Sequence, residues 1–254
     1  MFALTLLTTL ATSIQGQNVE LTKQSLSSYS KAICNDGSPA AYYIATEGAT
    51  SGDVLIYLEV RILWMPRINN VIWQGGGSCT DPIDCQERCG EAGEFLCSST
   101  DYPTTMEGES VVFSLSTEVN PAFASFIKVY VPYCSSDEHS GNKEASEETG
   151  NYHFNGRNIV SAILDDLHAQ SILGQQGQSK VVLAGASAGG AGAARNCDFV
   201  ADKVKSLGYD SRVSCVLDGA DLEPFWMTNE CDLIEEEAYY IDSITVSLFV
   251  YVFF

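Results

Sequence analysis

Residues Lys180 to Cys197, KVVLAGASAGGAGAARNC, constrain the fold more than any other stretch, because there an apolar β-branched run meets a serine set among glycines and alanines. Val181, Val182 and Leu183 predict a buried strand, since a short apolar run closed by glycine carries the strand signal. Gly185-Ala186-Ser187-Ala188-Gly189 fits G-x-S-x-G, the sharp strand-to-helix turn that lifts a serine hydroxyl off the top of a sheet. Such a turn needs backbone angles and close approaches that larger side chains obstruct, which gives the glycines a mechanical reason. Residues Gly190 to Leu207 predict a helix whose first turns, nearly all Ala and Gly, can pack tightly on neighbouring strands. An ordinary tight turn is the plain alternative; the flanking strand and helix favour the elbow.

The rest of the chain repeats this alternation. A turn at Asn35 to Pro39 leads into an aromatic strand at Tyr42 and Tyr43, and Val54 to Leu58 is a second strand. Pro121 to Cys134 is strand-like and is followed by an acidic Gly- and Ser-containing loop, Ser135 to Gly150. Gly156 to Leu173 predicts an amphipathic helix with Ile159, Ile163, Leu164 and Leu167 on its apolar face, and Val213 to Leu217 predicts a further strand ending at Asp218. Strands alternating with helices imply an α/β fold with a mostly parallel sheet and flanking helices, whose ligands bind at the carboxyl ends of the strands. A chain of 254 residues with 45% apolar content suits one such domain. Gly75-Gly76-Gly77, following the apolar Glu59 to Trp73 stretch, can expose several backbone N–H groups of the kind an oxyanion hole uses, although glycine-rich turns without that role are common.

Composition narrows the setting. Met1 to Gly16 reads as a signal peptide with an apolar segment from Phe2 to Ala11, a reading weakened by the absence of Lys and Arg before it. A buried strand or helix is the competing reading, and residues 17–254 form the remaining domain. Nine cysteines support export. Four of them, Cys79, Cys85, Cys89 and Cys97, have C-x5-C-x3-C-x7-C spacing, which favours disulfides over a zinc site and leaves connectivity open. Net charge is 13 − 33 = −20 with the acids spread along the chain, which disfavours nucleic acid, anionic membrane surfaces and polyanionic polymers as partners. Glu235-Glu236-Glu237 and Asp165-Asp166 read as solvated faces. No metal or nucleotide cofactor is indicated, since no phosphate-cradling motif and no His/Cys cluster of ligand spacing occurs; there is no N-x-[ST] sequon either.

The succession CNDGSPAAYY, LIYLE, GGGSC, DCQERC, VYVPYC, FNGRNI and GASAGGAGAARNCD, in that order between Cys34 and Asp198, resembles the pectin acetylesterase and Notum carboxylesterase family. The resemblance runs from about residue 34 to about 226. It implies a secreted serine esterase of α/β-hydrolase type, with its nucleophile at Ser187 and its oxyanion hole at the N–H groups of Gly76, Gly77 and Ala188. Substrates in the family are acyl esters on a protein or a polysaccharide: acetyl groups on pectin, or palmitoleate on a serine of Wnt proteins.

Two departures qualify this. Val60 to Trp73 stands between the YLE strand and the glycines, where family members run straight on. It reads as a genuine loop or as translated non-coding sequence, and it could displace Gly76 and Gly77. Second, a serine nucleophile needs a base, which in α/β-hydrolases follows the serine. His139, His153 and His168 all precede Ser187, and none follows. Each reads as a loop or helix residue, and Asp218 and Asp221 as capping or supporting residues. The expectation is a truncated chain diverging after about Trp226, nearly inactive as written because loss of one triad member costs on the order of 10⁴ to 10⁶ in kcat. The alternative is a secreted pseudoenzyme that binds a glycan or lipidated protein. The closing apolar stretch of the tail, Tyr239 to Phe254, is too short to insert stably across a membrane as a helix, and could be a strand in the core.

Overall fold

Apolar runs that are buried on both faces must satisfy their backbone groups sideways, and here they do so against one another. The structure, a computed structural model, describes residues 19–59, 77–90, 94–108, 110–174, 180–218 and 250–253. In it β3 (Val54–Leu58), β5 (Ile127–Val131), β6 (Lys180–Ala186) and β7 (Arg212–Asp218) form a parallel centre in the order β5-β3-β6-β7. Strands β1 (Glu20–Ser25), β2 (Ala41–Ala45) and β4 (Thr105–Glu107) extend it antiparallel beyond β5, and β8 (Val250–Phe253) pairs antiparallel with β7. The eight strands run β4-β1-β2-β5-β3-β6-β7-β8. The α/β-hydrolase-like expectation holds, with parallel pairing confined to the centre.

Alternation along each strand divides the core. Ile56, Leu58, Val129, Val131, Val181 and Leu183 pack with α3 (Gly156–Ala169) through Ile159, Ile163 and Leu167, and with α4 (Ala188–Ser206) through Val200 and Val204. Leu55, Val182 and Ala184 face the other way, onto Phe126, Val112 and Phe123. Lys128, the second residue of β5, is fully buried on that second face. Its ammonium donates to the carbonyls of Phe123, Ala124 and Phe126 at 3.0–3.1 Å, tying the preceding turn to the strand, while burial lowers its pKa to about 8.

Four disulfides close the described cysteines: Cys34–Cys134, Cys79–Cys85, Cys89–Cys97 and Cys197–Cys215. The crowded four therefore pair first with second and third with fourth, around α1 (Pro82–Arg88) and α2 (Glu94–Cys97). Asp81 caps α1, accepting from the N–H groups of Ile83 and Asp84, with Pro82 in the first turn.

Asp165-Asp166 is a correction. Asp166 accepts from the hydroxyls of Tyr42, at 2.7 Å, and Tyr29, at 3.2 Å, and Asp165 pairs with Lys203, so this acidic pair fastens α3 to β2 and to α4. Helix α3 is also four residues shorter than predicted, ending at Ala169, and α4 starts two residues earlier, at Ala188. The signal peptide, the Val60–Trp73 stretch, Asp221, Cys231, Glu235-Glu236-Glu237 and most of the tail lie outside the described residues. In the tail, residues 250–253 take the strand alternative, with Val250 opposite Asp218.

Candidate active site

Strand β6 sits between β3 and β7, with Leu58 opposite Gly185 and Ala186 opposite Asp218. One residue later the ladder makes a last bond, Ser187 N–H to the Asp218 carbonyl at 2.8 Å, and the chain turns into α4. Ser187 takes φ 48°, ψ −118°, a conformation that costs a non-glycine residue of order 1–3 kcal/mol and persists only where the surroundings impose it. They impose it through small residues. A Cβ on Gly189 would stand 2.1 Å from the Leu58 carbonyl oxygen, and one on Gly185 would stand 2.3 Å from the Gly189 carbonyl oxygen. Only glycine at both positions lets the helix start this close to the strand. The outcome is an exposed serine at the carboxyl end of a parallel sheet, with Ala188 beginning the helix. The first N–H groups of a helix have no acceptor within it and lie at its positive end, so a developing anion beside Ser187 meets donors there.

Gly77 also lies at this end. Its carbonyl accepts from the Tyr133 hydroxyl at 2.8 Å, and the Tyr133 N–H donates to the Glu59 carboxylate at 3.2 Å. Glu59 directly follows Leu58, the residue against which Gly189 packs. Gly77 has φ +75° and open space where a Cβ would be. Gly75 and Gly76 lie outside the described residues, so one of the three predicted oxyanion donors has no described position.

The histidines have partners of their own. His139 is buried, its Nε2 within 3.1 Å of the Glu59 carbonyl and its ring 4.6 Å from that of Tyr133; burial pushes its pKa down to about 4. His153 faces Glu144 at 3.1 Å in the loop before α3, and His168, on α3, faces the Tyr209 hydroxyl. Asp218 gives its backbone carbonyl to Ser187, and partial burial raises its carboxyl pKa. A small cleft of about 80 Å³ lies beside β2 and β5, lined by Tyr43, Glu59, Tyr102, Pro103, Met106, Tyr130 and Pro132, and Glu59 is the residue it shares with the network around Tyr133. Sequence reasoning missed Glu59 and Tyr133, whose relation spans 74 positions in the chain and leaves no local pattern. Among the described residues no His/Cys/Asp/Glu group is arranged to hold a metal, and no helix is long and apolar enough to cross a membrane.

Residues 12–220 match the family model for pectinacetylesterase. The chain is 36% identical over 176 residues to the palmitoleoyl-protein carboxylesterase NOTUM of Homo sapiens, covering 69% of this chain and 31% of that protein. It is 32% identical over 206 residues to pectin acetylesterase 5 of Arabidopsis thaliana, covering 79% of this chain and 42% of that one. It is 31% identical over 169 residues to pectin acetylesterase 7 of the same plant, covering 66% and 37%. The chain thus spans about a third of the length of the NOTUM relatives it matches. A serine presented on a strand-to-helix elbow of an α/β-hydrolase-like sheet, in a sequence matched by this family over most of its length, identifies the chain as a member of the pectinacetylesterase family.

Proposed function

We propose that this chain carries the nucleophile half of a secreted serine carboxylesterase that hydrolyses O-acyl esters on a protein or a polysaccharide. Ser187 attacks the ester carbonyl through Oγ while a base takes its proton, and the N–H groups of Gly76, Gly77 and Ala188 hold the tetrahedral oxyanion. Collapse expels the alcohol and leaves an acyl-serine, which water then cleaves to release the acid. Domain organisation follows the same reading, with residues 1–16 as an export signal and 17–254 as the esterase domain. The observation that carries the proposal is the strained, exposed Ser187, held by a neighbouring strand and by glycines that no other residue could replace without a backbone clash.

The sequence after Ser187 contains no histidine, and the three before it are engaged elsewhere. A polypeptide of these residues alone therefore lacks the base and is expected to turn over slowly or not at all. Relatives named for palmitoleoyl-protein and for pectin substrates both match, and the somewhat higher identity to the former, with the net charge of −20, favours an acylated protein over a polyanionic polysaccharide.

A fluorophosphonate probe tests the nucleophile. Labelling of the secreted gene product and none of Ser187→Ala supports it, and equal labelling of both overturns it. Hydrolysis of acetyl against palmitoleoyl esters then separates the substrates. The missing histidine favours a second reading, a pseudoenzyme that binds a glycan or lipidated protein without cleaving it. That reading predicts binding of the acylated ligand with no labelling of Ser187.

A further inference from the structure

The segment leaving β5, Tyr133 to His139, holds three non-glycine residues in the left-handed region: Ser136 at φ 50°, Glu138 at 53° and His139 at 56°. Backbone of this kind survives where its surroundings over-determine it, and it concentrates next to functional sites. Here the surroundings lie on two sides. Toward the glycines, the buried Tyr133 hydroxyl accepts from the Glu138 N–H at 2.6 Å and donates to the Gly77 carbonyl at 2.8 Å. The Tyr133 N–H donates to the Glu59 carboxylate, His139 Nε2 meets the Glu59 carbonyl, and the Ser136 carbonyl accepts from the Cys79 N–H at 2.8 Å. Toward the serine, Asn196 of α4 donates to the His139 carbonyl at 2.8 Å, Arg195 pairs with Glu138, and Gly192 lies so close that a Cβ on it would stand 2.6 Å from the Glu138 carbonyl oxygen.

One short segment therefore grips Glu59 and Gly77 with one side and the helix that starts beside Ser187 with the other. We propose that Tyr133 is a positioning residue for ester hydrolysis: through its hydroxyl and N–H it fixes the placement of the Gly77 peptide relative to Ser187 and the start of α4. This rests on the assignment of Ser187 and the glycines made under the proposed function. Burial raises the pKa of the Tyr133 phenol, so it stays protonated and remains a donor to the Gly77 carbonyl. Gly77 is exposed, with no heavy atom within 4 Å of where a Cβ would sit, and among the described residues its carbonyl is held by the Tyr133 hydroxyl. The ring is also wedged between His139 at 4.6 Å and the Arg88 guanidinium at 5.3 Å, which sets the direction in which the hydroxyl points.

Tyr133→Phe keeps the ring and removes the clamp. Tyr42→Phe is the matched control, because it too deletes a buried hydroxyl bonded on both sides, to Asp166 and Gln170, but against α3. In the secreted gene product, Tyr133→Phe is expected to lower kcat on the order of 10- to 100-fold with KM within about twofold, while Tyr42→Phe keeps kcat. An unchanged kcat in Tyr133→Phe, or an equal fall in both variants, overturns the proposal. Hydrogen exchange on the 254-residue chain supplies an arm that needs no turnover. The amides of Cys79 and Glu138 should exchange about tenfold faster in Tyr133→Phe and not in Tyr42→Phe, and unchanged exchange overturns the clamp. Should Ser187→Ala retain turnover, the assignment of the nucleophile falls, and the exchange arm still decides whether Tyr133 holds Gly77.

Discussion

The elbow at Ser187 and the segment from Ser136 to His139 both leave parallel strands at the same end of the sheet, and both hold unfavourable backbone, yet they are sustained in opposite ways. At the elbow a single residue at φ 48° is flanked by glycines and alanines, and the absence of side chains permits the turn. The other segment has no glycine among its left-handed residues, and its conformation is held by polar groups: Tyr133, Asn196, Arg195 and the half-buried Asp137, which accepts from the N–H groups of Gly141 and Gly156 and from the Ser135 hydroxyl. The first arrangement exposes a side chain for chemistry. The second buries Ser136 and His139 and turns its backbone outward to hold other segments. Strain made possible by small residues presents a group, whereas strain imposed by hydrogen bonds places its neighbours.

The largest test of that contrast removes a support of the second segment. Cys34–Cys134 closes a loop of 100 residues immediately after Tyr133, and replacing both cysteines by Ala should lower stability by about 4–5 kcal/mol, read as a shifted denaturant midpoint. A loss below about 1 kcal/mol would show that the hydrogen bonds suffice alone. Acid comes next. The His139 pKa is lowered from 6.5 to about 4 by burial, so below pH 6.5 the unfolded chain binds a proton that the folded chain resists. Its contribution is fully present above pH 6.5 and is lost as pH falls towards 4, amounting to about 3 kcal/mol. His139→Gln, which keeps a side-chain donor for the Glu59 carbonyl, should flatten this limb of the stability curve, and an unaltered limb would falsify the assignment.

At the elbow the sign reverses. Ser187→Gly should stabilise the protein by about 1 kcal/mol, since glycine adopts the observed angles without the penalty, while abolishing probe labelling. A lower melting temperature for this variant would mean that the serine is not strained. The smallest effect is expected at the rim of the loop, where Lys143 and Glu148 form an exposed ion pair. Lys143→Ala should change stability by less than about 0.5 kcal/mol, by the same denaturant measurement.

What could be read from the sequence follows the distance over which each feature is encoded. Strands β3, β5, β6 and β7 and both long helices carry their apolar pattern within one window, and G-x-S-x-G carries its own steric logic, so the centre of the sheet and the exposed serine were legible. Strand β1, ELTKQS, has a single fully buried position at Leu21 and no apolar run, and β4 has three residues at the sheet edge, so neither announces itself. Helix α1 did carry a signal, Asp81 followed by Pro82, which the surrounding cysteines masked. Asp166 looked like solvated surface because the tyrosines it binds lie more than 120 positions earlier in the chain. The role of Tyr133 has the same character: a tyrosine two residues past a strand is unremarkable until Gly77 and Glu59 are brought to it.

That Tyr133 holds both Glu59 and Gly77 has a bearing on how this family can vary. With the two anchor points fixed by a residue just past β5, the chain between them need not itself measure the gap. Residues 60–76 make 17 where deleting 60–73 would leave 3, and closing the longer stretch between fixed ends costs only about 1.5 kcal/mol more in chain entropy. Length at this junction is therefore nearly free to drift across generations, while Gly77 stays where a distant part of the polypeptide holds its carbonyl.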